Sequence, residues 1–397
     1  MYNNKYLALM TISAVMFFCP AAQGQWQVTP SIAVGLQYDD NVFLNTVANV
    51  DQSADGYAAD VGVDFSYSSQ ITEFQITPRV FLDRYRDASS LDSTDQFVNF
   101  DFRRSGQRSQ FRLRGDYSEE TIRRGEKLDT GLDDDDLVEV PTDDSGVVFS
   151  VQDRQRIRVV PEFSHRISQK SLIGARLEYL DSSYDATAAE DLRDFSDTRA
   201  RLFYEYGLNE RDVLALTAGA NRYESEADTR DVEGYGFGLG FRRSISERTT
   251  FGINVGAEQT DTVDGTDEDN VVGDISLNHR LQTTNLFAAY RRSVNGSGFG
   301  DVSVRDMLMF NVKHDLSAKS TLGVGARAYQ TNALQSGNQN FVEQDYIQFR
   351  ALYTWRLTRI FSIDFDYRYT QLERSDRGGS EDSNQFNLWF RYRPLRQ

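Results

Sequence analysis

Residues 56–68 read GYAADVGVDFSYS, and this stretch decides the fold. Tyr57, Ala59, Val61, Val63, Phe65 and Tyr67 occupy one set of alternate positions, and Ala58, Asp60, Gly62, Asp64, Ser66 and Ser68 the other. Successive side chains of a strand point to opposite faces, so a strand here has one apolar face and one polar face. Residues 361–369 repeat the pattern, with Phe361, Ile363, Phe365, Tyr367 and Tyr369 against Ser362, Asp364, Asp366 and Arg368. Residues 384–393 repeat it again, with Phe386, Leu388, Phe390 and Tyr392 on one face.

Working outward gives eighteen such segments, near 26–39, 56–68, 72–85, 95–105, 109–118, 152–165, 171–182, 195–207, 212–223, 232–243, 249–260, 269–280, 284–293, 304–315, 320–331, 345–357, 360–371 and 383–393. Connections after even segments are short, such as Ser69–Ile71 and Leu316–Lys319; those after odd segments are longer and often acidic, such as Glu119–Val151. An even number of long alternating strands, with turns at one end and loops at the other, predicts an all-β transmembrane antiparallel barrel of about 18 strands. Closure satisfies every backbone group in a medium without water. A soluble propeller would have shorter strands and a repeated blade motif, which the sequence lacks. The apolar faces end in aromatics: Tyr67, Phe241, Phe251 and Trp355 at the short-turn end, Tyr38, Tyr57, Tyr117 and Tyr235 at the loop end. These are expected interfacial girdles.

The 397 residues include 60 acidic and 43 basic side chains, three His and one Cys, with a mean hydropathy of −0.54. Residues 1–24 read as a cleaved signal peptide: Lys5, an apolar run from Leu7 to Phe18, and small residues at Ala22 and Gly24 before Gln25. Residues 25–397 are then the barrel. The one Cys, Cys19, falls in the removed segment, so the barrel has no disulfide and no thiolate metal site. No HExxH, GxSxG or paired-His motif occurs, so no catalytic, cofactor or metal residues are expected and the chain reads as a non-enzyme. His165, His279 and His314 fall at short-turn ends and read as interfacial polar residues. A net charge of −17 repels phosphates, so nucleic acid is not an expected partner.

The same alternation assigns the lumen wall, which is expected to be water-filled and mildly cationic. Arg112, Arg114, Arg156, Arg158, Arg176, Arg199 and Arg201 come from four consecutive strands and could form an arginine stripe. The longest loop lies between two of those strands and carries Asp133, Asp134, Asp135, Asp136, Glu139, Asp143 and Asp144. Folded inward, it would face the stripe across a constriction; left outside, it would be a solvated acidic loop. Gly234, Gly236, Gly238, Gly240, Gly252 and Gly256 share the inner face of two neighbouring strands, where glycine permits bending or widens the lumen; curvature is the favoured reading. Pro30, Pro78 and Pro161 lie inside strands at a similar height, which suggests a bulge or a loosened rim there.

Pro30 to Phe43, with Tyr38-Asp39-Asp40-Asn41 at the end of the first strand, resembles the beta-barrel porin type 2 family. The resemblance extends over the mature chain as pattern. It implies an outer-membrane barrel often associated with exopolysaccharide production, and hence a conduit serving polysaccharide export. Two other readings stand beside it: a general or anion-preferring small-solute diffusion porin, suggested by the arginine stripe, and a non-conducting surface or adhesive barrel using its acidic loops. Expected partners are outer-membrane lipid and lipopolysaccharide, the barrel assembly machinery and, under the export reading, periplasmic polysaccharide-export components. The expected location is the cell outer membrane, with both termini periplasmic. Phe390 and Tyr392 are followed by five further residues, so the aromatic that commonly ends such barrels lies inward of the terminus.

Overall fold

The computed structural model describes residues 24–44, 53–123, 152–185, 192–226, 231–262, 267–300, 302–334, 343–375 and 379–394. The expected signal peptide lies outside them. All eighteen segments are strands: β1 (Gln25–Asp39), β2 (Ala54–Ser68), β3 (Thr72–Tyr85), β4 (Ser93–Ser105), β5 (Ser109–Thr121), β6 (Asp153–Arg166), β7 (Ser171–Tyr184), β8 (Phe195–Gly207), β9 (Asp212–Ser225), β10 (Val232–Ser246), β11 (Thr249–Thr262), β12 (Asp267–Arg280), β13 (Thr284–Gly296), β14 (Val302–Ser317), β15 (Ser320–Ala333), β16 (Gln344–Arg356), β17 (Phe361–Arg374) and β18 (Ser380–Tyr392). Each pairs antiparallel with its sequence neighbours, and β18 closes on β1 from Ile32↔Tyr392 to Asp39↔Gln385. The fold is a closed 18-stranded transmembrane antiparallel β-barrel.

Exposure follows the alternation and inverts the soluble pattern. Outward residues are bare hydrocarbon, with Phe237 75% and Leu239 66% exposed, whereas inward Arg327 is 1% exposed. An exterior of this kind is stable only against lipid. His165, His279 and His314 take outward positions at the short-turn ends of β6, β12 and β14, and register puts His165 in line with Tyr204 and His314 in line with Tyr353, as members of the girdle. Each places Nδ1 against a hydroxyl of the adjoining strand: Ser109 Oγ (2.8 Å), Thr249 Oγ1 (2.8 Å) and Thr284 Oγ1 (2.7 Å).

Two expectations are corrected. Of the two readings of the prolines, the bulge is corrected: they mark a loosened ladder without a register shift. The β2–β3 ladder lapses between Gly62↔Arg79 and Phe65↔Ile76 beside Pro78, and the β6–β7 ladder between Val159↔Tyr179 and Glu162↔Arg176 beside Pro161; both resume in the same register. Pro30 keeps its place opposite Val63, and the β1–β18 ladder begins only at Ile32. Each proline thus has its donorless nitrogen matched by a lapse or an end of the ladder on one flank. Among the described residues, register shifts lie only at the short turns, at Ser244/Ser246 and Asp315/Ser317.

The inner face is also not uniformly wet. Phe287, Met307, Met309, Tyr329, Tyr346 and Leu372 form a buried cluster there with Leu44, from the connection after β1. Leu44 has a φ of 45°, a conformation unusual for leucine, and is fully buried in this cluster. Phe81, Ala33, Ala58 and Trp389 form a second inner cluster. Charged side chains fill the wall between them: Arg350 donates to Asp366 at 2.8 and 3.0 Å, and Arg391 pairs with Asp364.

Candidate functional site

The arginine stripe lies on the inner wall of β5–β8, as the alternation expects. Register sets Glu162 opposite both Arg112 and Arg176, Glu178 opposite Arg199, and Arg201 opposite Arg176. Most of the stripe is engaged with carboxylates. Arg112 grips Asp101 through Nη2 (2.5 Å) and Nε (3.1 Å). Glu178 accepts from Arg158 at 2.7 Å and from Arg176 at 3.2 Å, and Arg158 also stands 3.7 Å from Asp116. Arg199 donates to Asp197 at 2.7 Å. Arg114 and Arg156 complete the row, half-buried on β5 and β6. Arg201 differs: it is exposed to the lumen and makes no salt bridge among the described residues. Its neighbours in the row are a cation, Arg176, on one side and the side-chain-free Gly219 on the other.

The element that narrows the lumen is not one the sequence singled out. The β11–β12 ladder continues to Asp261↔Asp267, but the β12–β13 ladder stops at Gly273↔Arg292. Above that point β13 parts from β12, while β14 stays paired with β15 to Ser303↔Ala333, so the β13–β14 hairpin, paired within itself to Gly296↔Val302, swings inward from a hinge on β15. Its tip meets β7, β8 and β9, four to six strands away round the barrel, so it crosses the lumen as a strap. Tyr223 Oη donates to the Ser297 carbonyl (2.7 Å), the Arg193 amide to the Gly298 carbonyl (2.7 Å), and Arg199 Nη2 to the Val294 carbonyl (3.3 Å). Val294, Val302 and Val304 pack with Tyr184, Phe195, Tyr223 and Val232. Glycine is required at the tip: a Cβ on Gly296 would lie 2.2 Å from the Tyr223 ring, and one on Gly298 2.5 Å from the Tyr184 hydroxyl. The sequence signal was present in Asn295-Gly296-Ser297-Gly298-Phe299-Gly300, whose glycines fit a close approach as well as a loop.

The long acidic loop is placed in part. Its first residues, Ile122 and Arg123, turn into the barrel and are buried. Arg123 reaches back to the Tyr85 hydroxyl (2.8 Å) and lies 3.9 Å from Asp83. Asp133, Asp134, Asp135, Asp136, Glu139, Asp143 and Asp144 lie outside the described residues.

The glycine stripe sits on the inner face of β10 and β11 and serves curvature. A Cβ on Gly256 would meet the Phe237 carbonyl at 2.6 Å, and one on Gly236 the Ala257 carbonyl at 3.1 Å. The strand backbones themselves occupy that space, so the bend excludes side chains. Asn221 lies over Gly234 and donates to Glu258 (2.9 Å); Asn254 lies over Gly240 and donates to Asp274 (3.0 and 3.1 Å). The surface is therefore a thin polar floor adjoining the arginine wall. Among the described residues no group of His, Cys, Asp and Glu could hold a metal ion.

No protein-family model and no curated protein matches the sequence. Among solved structures, the chain is similar to a BenF-like porin from Pseudomonas fluorescens Pf-5, at 11% identity over 94% of this chain and 99% of that one, with a TM-score of 0.50. It is also similar to OccK5 (OpdH) of Pseudomonas aeruginosa, at 11% identity over 93% and 99% with a TM-score of 0.47. OccK2 (OpdF) of the same organism, solved in complex with glucuronate, matches at 12% identity over 94% and 99% with a TM-score of 0.48. The first likeness shows the architecture of an outer-membrane porin barrel. The narrower resemblance to the beta-barrel porin type 2 family rests on the Pro30–Phe43 motif and the strand pattern alone.

Proposed function

We propose that this chain is an outer-membrane channel for passive diffusion of small polar solutes, with a preference for anions. The observation that carries the reading is Arg201, exposed and making no salt bridge among the described residues, in a lumen that a folded-in strap narrows. A cation facing water in a restricted passage favours anion entry. Arg176 beside it adds to the field, and the polar floor of β10 and β11, two and three strands further round, supplies hydrogen-bond acceptors alongside. The likeness to a porin barrel supports the same reading. Both termini emerge at the short-turn end, since Gln25 pairs with Ser68 and Tyr392 with Phe361; in the outer membrane that end is periplasmic. Polysaccharide export fits less well, because the strap crosses the route a bulky polymer would need, and its support is the family resemblance only.

Purified barrel in a planar bilayer under a KCl gradient tests this. The expected result is discrete channels whose reversal potential shows anion preference, reduced in Arg201→Ala and inverted in Arg201→Glu. Cation preference in the parent, or no conductance at all, would overturn it.

A further inference from the structure

Four of the short turns share one build that the transport reading does not use. They run Ile167-Ser168-Gln169-Lys170, Leu208-Asn209-Glu210-Arg211, Ile245-Ser246-Glu247-Arg248 and Leu316-Ser317-Ala318-Lys319. Each is an aliphatic residue, then Ser or Asn, then a variable position, then a base. The second residue shapes the turn, accepting from the backbone amide of the base: Lys170 to Ser168 Oγ (3.2 Å), Arg211 to Asn209 Oδ1 (2.8 Å), Arg248 to Ser246 Oγ (3.2 Å) and Lys319 to Ser317 Oγ (3.1 Å). That explains Ser and Asn by turn chemistry. It does not explain the aliphatic residue or the base.

The four aliphatic side chains are 46–55% exposed. Ile167 and Leu208 follow directly on the ends of β6 and β8, next in line after the outward Phe163 and His165 and the outward Tyr204 and Tyr206, and Ile245 and Leu316 sit at the register shifts of β10 and β14. They offer apolar surface at the short-turn end of the barrel, beside the girdle. The four bases are exposed and make no salt bridge among the described residues, on a chain with 60 acidic and 43 basic side chains.

We propose that this rim binds anionic phospholipid of the periplasmic leaflet, one headgroup at each repeated turn. The aliphatic residue enters the acyl boundary, and the base three positions on meets the phosphate. An exposed aliphatic residue in each of the four turns that carry these bases selects lipid over a periplasmic polyanion, which has no hydrocarbon to cover it. Charge complementarity selects phosphatidylglycerol-type over zwitterionic lipid. The proposal depends on insertion of the barrel, not on which solute it conducts.

The test is lipid retention by the purified full barrel, read by native mass spectrometry after exchange into equal phosphatidylglycerol and phosphatidylcholine. The parent is expected to retain phosphatidylglycerol preferentially. Lys170→Gln/Arg211→Gln/Arg248→Gln/Lys319→Gln is expected to lose that preference by about tenfold or more, with channel conductance unchanged. Ile167→Ser/Leu208→Ser/Ile245→Ser/Leu316→Ser, in the parent charge state, is expected to retain fewer lipids of both kinds. Equal retention of the two lipids by the parent, or an unaltered preference in the glutamine variant, would overturn the proposal. So would capture of soluble peptidoglycan fragments by these bases without any lipid preference.

Discussion

Replacing Tyr223 by alanine is expected to release the strap. The ring is 3% exposed and lies in the apolar cluster that holds Val294, Val302 and Val304, and its hydroxyl donates to the Ser297 carbonyl at 2.7 Å. Truncating a buried aromatic costs about 3–5 kcal/mol, and one such hydrogen bond has a net worth of about 0.5–1.5 kcal/mol. The ladder of β9 does not depend on this side chain, so the loss falls on the strap. With about 1.4 kcal/mol per tenfold, Tyr223→Ala shifts the tucked-to-free ratio by roughly a hundredfold or more, and Tyr223→Phe by about tenfold or less. Single-channel recording is the assay. The alanine variant should show larger conductance or long-lived excursions to a larger level, and the phenylalanine variant should keep the parent level. Alanine channels identical to the parent in level and noise would show that the strap does not limit the passage.

Three further outcomes follow from the same geometry. Gly256→Ala drives a Cβ against the Phe237 carbonyl; it should lower the urea midpoint of unfolding in detergent by about 1–3 kcal/mol equivalent, whereas Gly115→Ala, whose nearest contact is 3.5 Å away, should not. Pro161→Val restores an amide where the β6–β7 ladder lapses, so it should raise that midpoint by up to about 1 kcal/mol; an unchanged or lower midpoint would place the lapse elsewhere than at the missing donor. Gly296→Leu should favour the released strap and copy the Tyr223→Ala conductance, since its side chain has no space beneath the ring.

The strands were legible because lipid enforces alternation residue by residue, so all eighteen could be placed. Their loop ends were read short: β5 runs on to Thr121, β7 to Tyr184, β9 to Ser225 and β13 to Gly296. Hydrocarbon imposes the pattern only across its own thickness, and the strands continue beyond it. The stripe from Arg112 to Arg201 was legible for the same reason, since phase alone puts it inside. Its ion pairs were not, because partners such as Glu178 and Arg158 meet across strands. The inner apolar clusters had a readable sign in Leu286-Phe287-Ala288-Ala289 and Met307-Leu308-Met309-Phe310, where both faces are apolar. Such runs belong to strands covered on both sides. The strap was not legible, because it depends on contacts such as Tyr223 with Ser297, 74 residues apart.

Where the strap parts from β12, that strand is paired on one flank only from Asp267 to Val272 among the described residues. Arg292 Nε covers one bare carbonyl, that of Val271, at 3.2 Å. A naked strand margin is a template on which a second molecule can polymerise. Here it begins Asp267-Glu268-Asp269, so an identical margin laid alongside would bring carboxylate against carboxylate. The barrel can therefore spend a hairpin on its interior without becoming adhesive to its own kind.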